Sequence, residues 1–153
     1  LLGWFISLRS PSLFSLHLGR RFLEEVWLAP HASRMHILHY LLGLSFYPMA
    51  LVKGPPKQNV FWFLGLQSCQ LISHLTLWRL RSRGSYQPIP KRGLFRFILC
   101  PHYLTEILLY WGSDPWVFAF VALNVALSAQ STRQWYQSRF GPDPRAALIP
   151  NFL

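Results

Sequence analysis

Residues 97–112 read FILCPHYLTEILLYWG, an apolar and aromatic run in which Glu106 is the single acid, accompanied by one histidine and one threonine. A carboxylate in such surroundings is unfavourable by several kcal/mol unless it is paired, neutralised or wet, so its presence asks for a partner. Pro101 suits the first turn of a helix, and His102 and Glu106, at i and i+4, then share one face. The run is expected to be a membrane helix that turns this face toward a polar interior.

Composition agrees with that setting. The chain has 153 residues, 52% hydrophobic and 16% aromatic, with 13% charged against about 25% in ordinary soluble domains. Mean hydropathy is +0.22, which fits apolar segments interrupted by polar loops. Fifteen basic residues against five acids give a net charge of +10, compatible with anionic lipid or a phosphorylated ligand. Nucleic acid is not expected as a partner, because the basic residues lie between apolar runs and form no single face. Cys69 and Cys100 sit singly in apolar segments without metal-like spacing, so they read as buried free thiols and no metal is expected. The chain starts at Leu1 without an initiator Met, and its opening lacks the features of a signal peptide.

From these patterns the fold class is all-α, a polytopic integral membrane helix bundle with about four to five membrane helices in one domain, 1–153. Residues 10–34 read as an amphipathic helix closed by Pro30; candidate spans follow at 35–52, 60–78, 97–111 and 116–130. The breakers KGPPKQ (53–58), RGSYQPIPKRG (83–93) and GSDP (112–115) separate them. Arg79, Arg81, Arg83, Lys91, Arg92 and Arg96 crowd one connection, GSDP carries no basic residue, and Arg133, Arg139 and Arg145 mark the tail. By the positive-inside rule the 79–96 connection and the tail are cytosolic and GSDP lies across the membrane.

Polar residues enter the spans near one boundary. Gln70 and His74 stand at i and i+4, with Arg81 a heptad beyond His74; His102 and Glu106 open the next span; Arg133 and Tyr136 are three apart, followed by Arg145. Singly, a membrane histidine is a satisfied interhelical donor and the arginines are topology determinants. Together, the sets suit a polar, anionic ligand.

Two segments carry a family resemblance. IPKRGLFRFILCPHYLTEIL resembles the steroid 5α-reductase segment with Ile-Pro, a Gly-Leu-Phe, and an Asn or His followed four residues later by Glu. WYQSRFGPDPRAALIPNFL is similar to that family's C-terminal signature, and GRRFLEEVW with SRMHILHYLLG resembles its polyprenol reductase branch. The resemblance runs from about residue 16 to 153, with a C-terminal reductase segment at about 60–153. It implies a multi-pass endoplasmic reticulum enzyme that uses NADPH to saturate the α-isoprene double bond of a long-chain polyprenol or polyprenal toward dolichol, the lipid of protein N-glycosylation. By position it implies that Gln70, His74, Arg81, His102, Glu106, Tyr136 and Arg145 hold the cofactor, and that His17 stands where steroid-reducing relatives place the Tyr that polarises the substrate carbonyl. It also implies further N-terminal helices ahead of this segment.

Chemistry is consistent with these roles. Arg81 and Arg145 suit phosphate contacts, Gln70 and Glu106 suit ribose or carboxamide, and Glu106 is expected to be paired by the cofactor or by His102. Reduction of an enal also needs an acid near the carbonyl oxygen, a task for His17. Alternative readings are a reductase of the same superfamily acting on a 3-oxo-4-ene steroid or an enoyl thioester, and an inactive truncated membrane fragment.

Overall fold

A computed structural model of the chain describes residues 13–28, 46, 58–82 and 90–149. Four α-helices form the described frame: α1 (Leu13–Leu28), α2 (Val60–Ser82), α3 (Pro101–Leu109) and α4 (Pro115–Phe140), with a 3-10 turn at Gly93–Arg96 ahead of α3. Helix α3 packs between α2 and α4, and α1 lies against α2.

Local chemistry sets the helix ends. Asn59 caps α2, its side-chain oxygen accepting from Phe61 N at 2.9 Å. Asp114 does the same for α4 through Trp116 N at 3.0 Å, with Pro115 in the first turn where its missing N–H is no loss. Gly141 ends α4 at φ 86°, a left-handed conformation that only glycine adopts without strain. Helix α3 begins with Pro101, as its sequence leads one to expect. Its other end is closed from a distance: the Gln58 side-chain amide donates to the carbonyls of Leu108, Leu109 and Trp111 at 2.9, 2.8 and 3.0 Å.

Helix α2 is about 34 Å long at 1.5 Å per residue, enough for a hydrocarbon core of about 30 Å. Among the described residues it is the one helix long and apolar enough to cross a membrane, and only 22% of its apolar window is buried against the protein. Phe61, Trp62, Leu64 and Ile72 point outward. Hydroxyls on these surfaces bond back to their own helix, Ser68 to Leu64 O at 2.9 Å and Thr76 to Ile72 O at 2.7 Å, so they need no water. Helix α4 is longer still, but Asn124, Gln130, Arg133, Gln134 and Gln137 dilute its hydropathy.

One sequence expectation differs from this frame. The expected span at 97–111 contains a nine-residue helix, about 14 Å long and too short to cross. The apolar residues ahead of it are drawn into another structure: Ile98 makes a parallel bridge to Ala146, and Leu99 N and Cys100 N donate to Ala146 O and Ala147 O at 2.9 and 3.0 Å. Among the described residues one helix is both long and apolar enough to cross, which leaves the expected number of four to five untested, and the expected span at 35–52 lies outside them apart from Phe46.

Two apolar cores brace α3. One gathers Phe63 and Leu66 of α2, Leu109 and Tyr110, and Val117 and Val121 of α4, with Phe46 stacked on Phe120 at 5.1 Å. The other gathers Leu99, Cys100, Ala129, Ala147 and Leu148, with Tyr103 and Tyr136 against it.

Candidate functional site

Polar residues recur along α1 at His17, Arg20, Arg21 and Glu24, spacings of three, four and seven that put them on one face. Helix α2 presents Gln67, Gln70 and His74 in the same rhythm. The two stripes meet, and Glu106 of α3 joins them.

Arg20 is the hub of this contact. Its Nε donates to Gln67 Oε1, one Nη to Gln70 Oε1 and the other to Glu24 Oε1. Gln70 Nε2 in turn donates to Glu106 Oε2. Gln67 Nε2 lies 2.8 Å from His17 Nδ1, and His17 Nε2 lies 3.5 Å from Glu106 Oε1. The path Arg20, Gln67, His17, Glu106, Gln70 and back to Arg20 is therefore a closed ring of polar side chains. His17 is 2% exposed and Gln70 1%, which leaves water little part in satisfying the ring.

A second branch leaves the ring at Arg20 and passes to Glu24. Its Oε2 lies 2.6 Å from His74 Nδ1 and accepts from Arg21 Nη1 at 3.1 Å. Both arginines thus face Glu24, while Glu106 is faced by His17. The His74 ring meets His102 edge-on at 5.5 Å between centroids, and His102 lies 4.1 Å from Tyr103. Tyr103 belongs to the second core, where Tyr136 of α4 also packs. Polar and aromatic groups thus run from α1 through α2 to α3, and Tyr136 of α4 packs on the same core as Tyr103.

Of the residues singled out by sequence, the structure brings His17, Gln70, His74, His102 and Glu106 into this run and sets Tyr136 at its far end. Glu106 was expected to pair with the cofactor or His102; its contacts come from Gln70 and His17, which are distant in sequence. Arg81 lies in the last turn of α2, and its side chain is outside the described residues. Arg145 lies apart, on the tail: its Nε and Nη2 fork onto Asp143 at 2.9 and 2.5 Å, and Nη1 reaches Pro90 O and Phe95 O at 2.9 and 2.5 Å. That hydrogen-bonded fork holds the Asp143 carboxyl below the usual carboxylate range.

Sequence reasoning missed Arg20, Arg21, Glu24 and Gln67. The signal was present as a polar stripe at helical spacing on α1, with Gln67 three residues ahead of Gln70 on α2; only the pairing of the two stripes needed the fold. The donor set suits an anionic ligand that carries an amide: imidazoles on α2 and α3, the Tyr136 phenol, and Arg133 a turn earlier on α4, whose buried Nε has no hydrogen-bond partner among the described residues.

Comparison with known proteins adds the following. Residues 57–153 match the model of the family described as 3-oxo-5-alpha-steroid 4-dehydrogenase. A polyprenal reductase of Caenorhabditis elegans is 28% identical over 92% of the chain and 59% of its own length. A polyprenal reductase of Saccharomyces cerevisiae is 28% identical over 88% of the chain and 60% of its own length. A very-long-chain enoyl-CoA reductase of Dictyostelium discoideum is 29% identical, with 92% of the chain and 56% of the relative covered. The chain therefore spans about six-tenths of the length of the curated relatives it matches.

Proposed function

Because this chain belongs to the 3-oxo-5-alpha-steroid 4-dehydrogenase family, we propose that it carries the reductase site of an enzyme that saturates the α-isoprene double bond of a polyprenal, on the route to dolichol and dolichol-linked N-glycosylation. The observation that carries this reading is the closed ring on His17, Glu106, Gln70, Gln67 and Arg20, a buried proton-bearing centre inside an apolar frame. Relatives named polyprenal reductase favour the aldehyde over the alcohol as substrate. A conjugated aldehyde is also the chemically sensible partner, because its carbonyl oxygen can take up the charge that hydride addition creates.

When bound, a reduced nicotinamide cofactor, NADPH in our reading, supplies the hydride for the β carbon of the enal. Gln70, His74, His102, Glu106 and Tyr136 would hold the cofactor, with Arg81 as its cationic contact and Arg133 as a further donor; Arg145, also expected there, is engaged on the tail by Asp143, Pro90 and Phe95. His17 serves the carbonyl end: its Nε2–H donates to the oxygen as the double bond becomes an enolate, and a proton then returns to the α carbon. Atoms balance as two hydrogens added across one double bond, one as hydride and one as proton. Exclusion of water by the cores around α3 keeps these hydrogen bonds strong. The outward apolar face of α2 offers the polyprenoid tail a lipid-side approach. The setting we propose is a multi-pass endoplasmic reticulum membrane protein, with the 79–96 connection and the tail cytosolic and no role in binding nucleic acid.

A second reading, reduction of an enoyl thioester, is favoured by the Dictyostelium relative. Membranes containing the chain, incubated with NADPH and either polyprenal, a long-chain enoyl thioester or a 3-oxo-4-ene steroid, decide between them by the mass of the reduced product. Saturated polyprenal is expected. Saturation of the thioester alone would transfer the site to the second reading, and absence of both turnover and NADPH binding would leave an inactive membrane fragment.

A further inference from the structure

Two histidines in the polar run face chemically opposite partners, and the hydrogen-bond directions follow from which groups can only donate and which can only accept. A guanidinium only donates, so the Gln67 oxygen must face Arg20 Nε and the Gln67 NH2 must face His17. An amide NH2 also only donates, so His17 Nδ1, 2.8 Å away, accepts and its hydrogen sits on Nε2. That nitrogen faces Glu106 Oε1 at 3.5 Å, where a hydrogen has an acceptor. At His74 the logic inverts: Nδ1 faces an ionised carboxylate, Glu24 Oε2, at 2.6 Å, so its hydrogen sits on Nδ1. Arg21, 3.3 Å from the same nitrogen, directs its hydrogen to that carboxylate oxygen as well.

We propose that Gln67, oriented by Arg20, is a positioning residue that holds His17 as its Nε2–H tautomer, while Glu24 holds His74 as the Nδ1–H form. Residues on α1 and α2 that touch no substrate thereby decide which ring nitrogen can give a hydrogen to a substrate oxygen. The same guanidinium orients Gln70, whose NH2 is thereby committed to Glu106. Arg20 accordingly sets the direction of the whole ring. The role of Nε2–H in reduction rests on the proposed function; the tautomer assignment does not.

Nitrogen-15 spectra of the detergent-solubilised chain, labelled at histidine, read tautomers directly, because protonated and bare ring nitrogens resonate far apart. Wild type is expected to show His17 bare at Nδ1 and His74 protonated at Nδ1, assigned by His17→Gln and His74→Gln. Gln67→Glu replaces a donor by an acceptor at nearly constant shape and should move a hydrogen onto His17 Nδ1 while leaving His74 unchanged. Arg20→Met, which frees the Gln67 amide to rotate, should give mixed tautomers, and Arg20→Lys should restore part of the wild-type signal. In turnover with polyprenal and NADPH, Gln67→Glu should lose at least about tenfold in kcat with little change in the NADPH KM, since a wrong tautomer leaves the geometry intact. Wild-type His17 protonated at Nδ1, or a Gln67→Glu spectrum identical to wild type, would overturn the proposal; the wild-type spectrum does so even where a variant fails to fold. Tautomers as expected in a chain that reduces no enal would sink the functional reading and leave the positioning role of Gln67 standing.

Discussion

Glu106 and Glu24 are both acids among apolar helices, yet they hold different kinds of neighbour. Glu24 gathers Arg20, Arg21 and His74, whereas Glu106 meets an amide and an imidazole. Glu24→Gln should therefore destabilise the fold more, because it leaves two arginines without their shared counter-charge, a loss on the order of 3–5 kcal/mol for a buried pair. Glu106→Gln keeps an oxygen for Gln70 and should melt close to wild type, but weaken NADPH about tenfold, or about 1.4 kcal/mol. Thermal melting without cofactor and NADPH titration separate the two effects; a large melting loss with unchanged affinity for Glu106→Gln would make that acid a strut. Asp143 supplies a pH test outside the apolar helices. Its carboxyl titrates lower in the folded chain than its ordinary 3.8, so the unfolded state binds more protons as the medium acidifies. The Arg145 contact thus stabilises above about pH 4 and is lost as pH falls through the lower folded value. Wild type should out-melt Asp143→Asn at pH 6, and the gap should close as the pH falls below the ordinary 3.8 and through the lower folded value. A gap independent of pH would show that the carboxylate's charge contributes nothing.

Among the elements, α3 carries the clearest lesson about what a sequence discloses. Its start was readable from Pro101, its inward face from His102 and Glu106 at i and i+4, and the length of α2 from its apolar run. Its brevity was not readable, because Phe97 to Cys100 are apolar enough to continue a span and are diverted by residues 146–148, nearly fifty positions away. Local spacing offers His102 as a neighbour of Glu106, while the fold also delivers Gln70 and His17 from distant helices. The polar stripe on α1 was visible as spacing but had no meaning until α2 was set against it. The far end of α3 depends on another distant residue, Gln58. Gln58→Leu removes the donor to three carbonyls and should lower stability by about 1–3 kcal/mol, with α3 amides exchanging faster against deuterium than those of α2. Exchange protection of α3 equal to wild type would show that the carbonyls find other donors.

For the molecule as a whole, the proposed orientation places its basic connection and tail on one side and the turn between α3 and α4 on the other. Lys91 is exposed and Ser113 half-buried, so Lys91→Cys and Ser113→Cys are suitable reporters against the background of Cys69 and Cys100. A membrane-impermeant maleimide applied to sealed microsomes should label position 91 and should reach position 113 only after the membrane is opened. Equal labelling of both in sealed vesicles would rule the orientation out. The stitch between residues 98–100 and 146–148 has a consequence for biogenesis. While Ala146 to Leu148 are still inside the ribosome, the segment that leads into α3 lacks its hydrogen-bonding partner, although α1 and α2 have already emerged. Glu106 can then join His17 and Gln70 only late, after the tail has been synthesised and has folded back, whereas Glu24 and His74, on α1 and α2, can meet earlier.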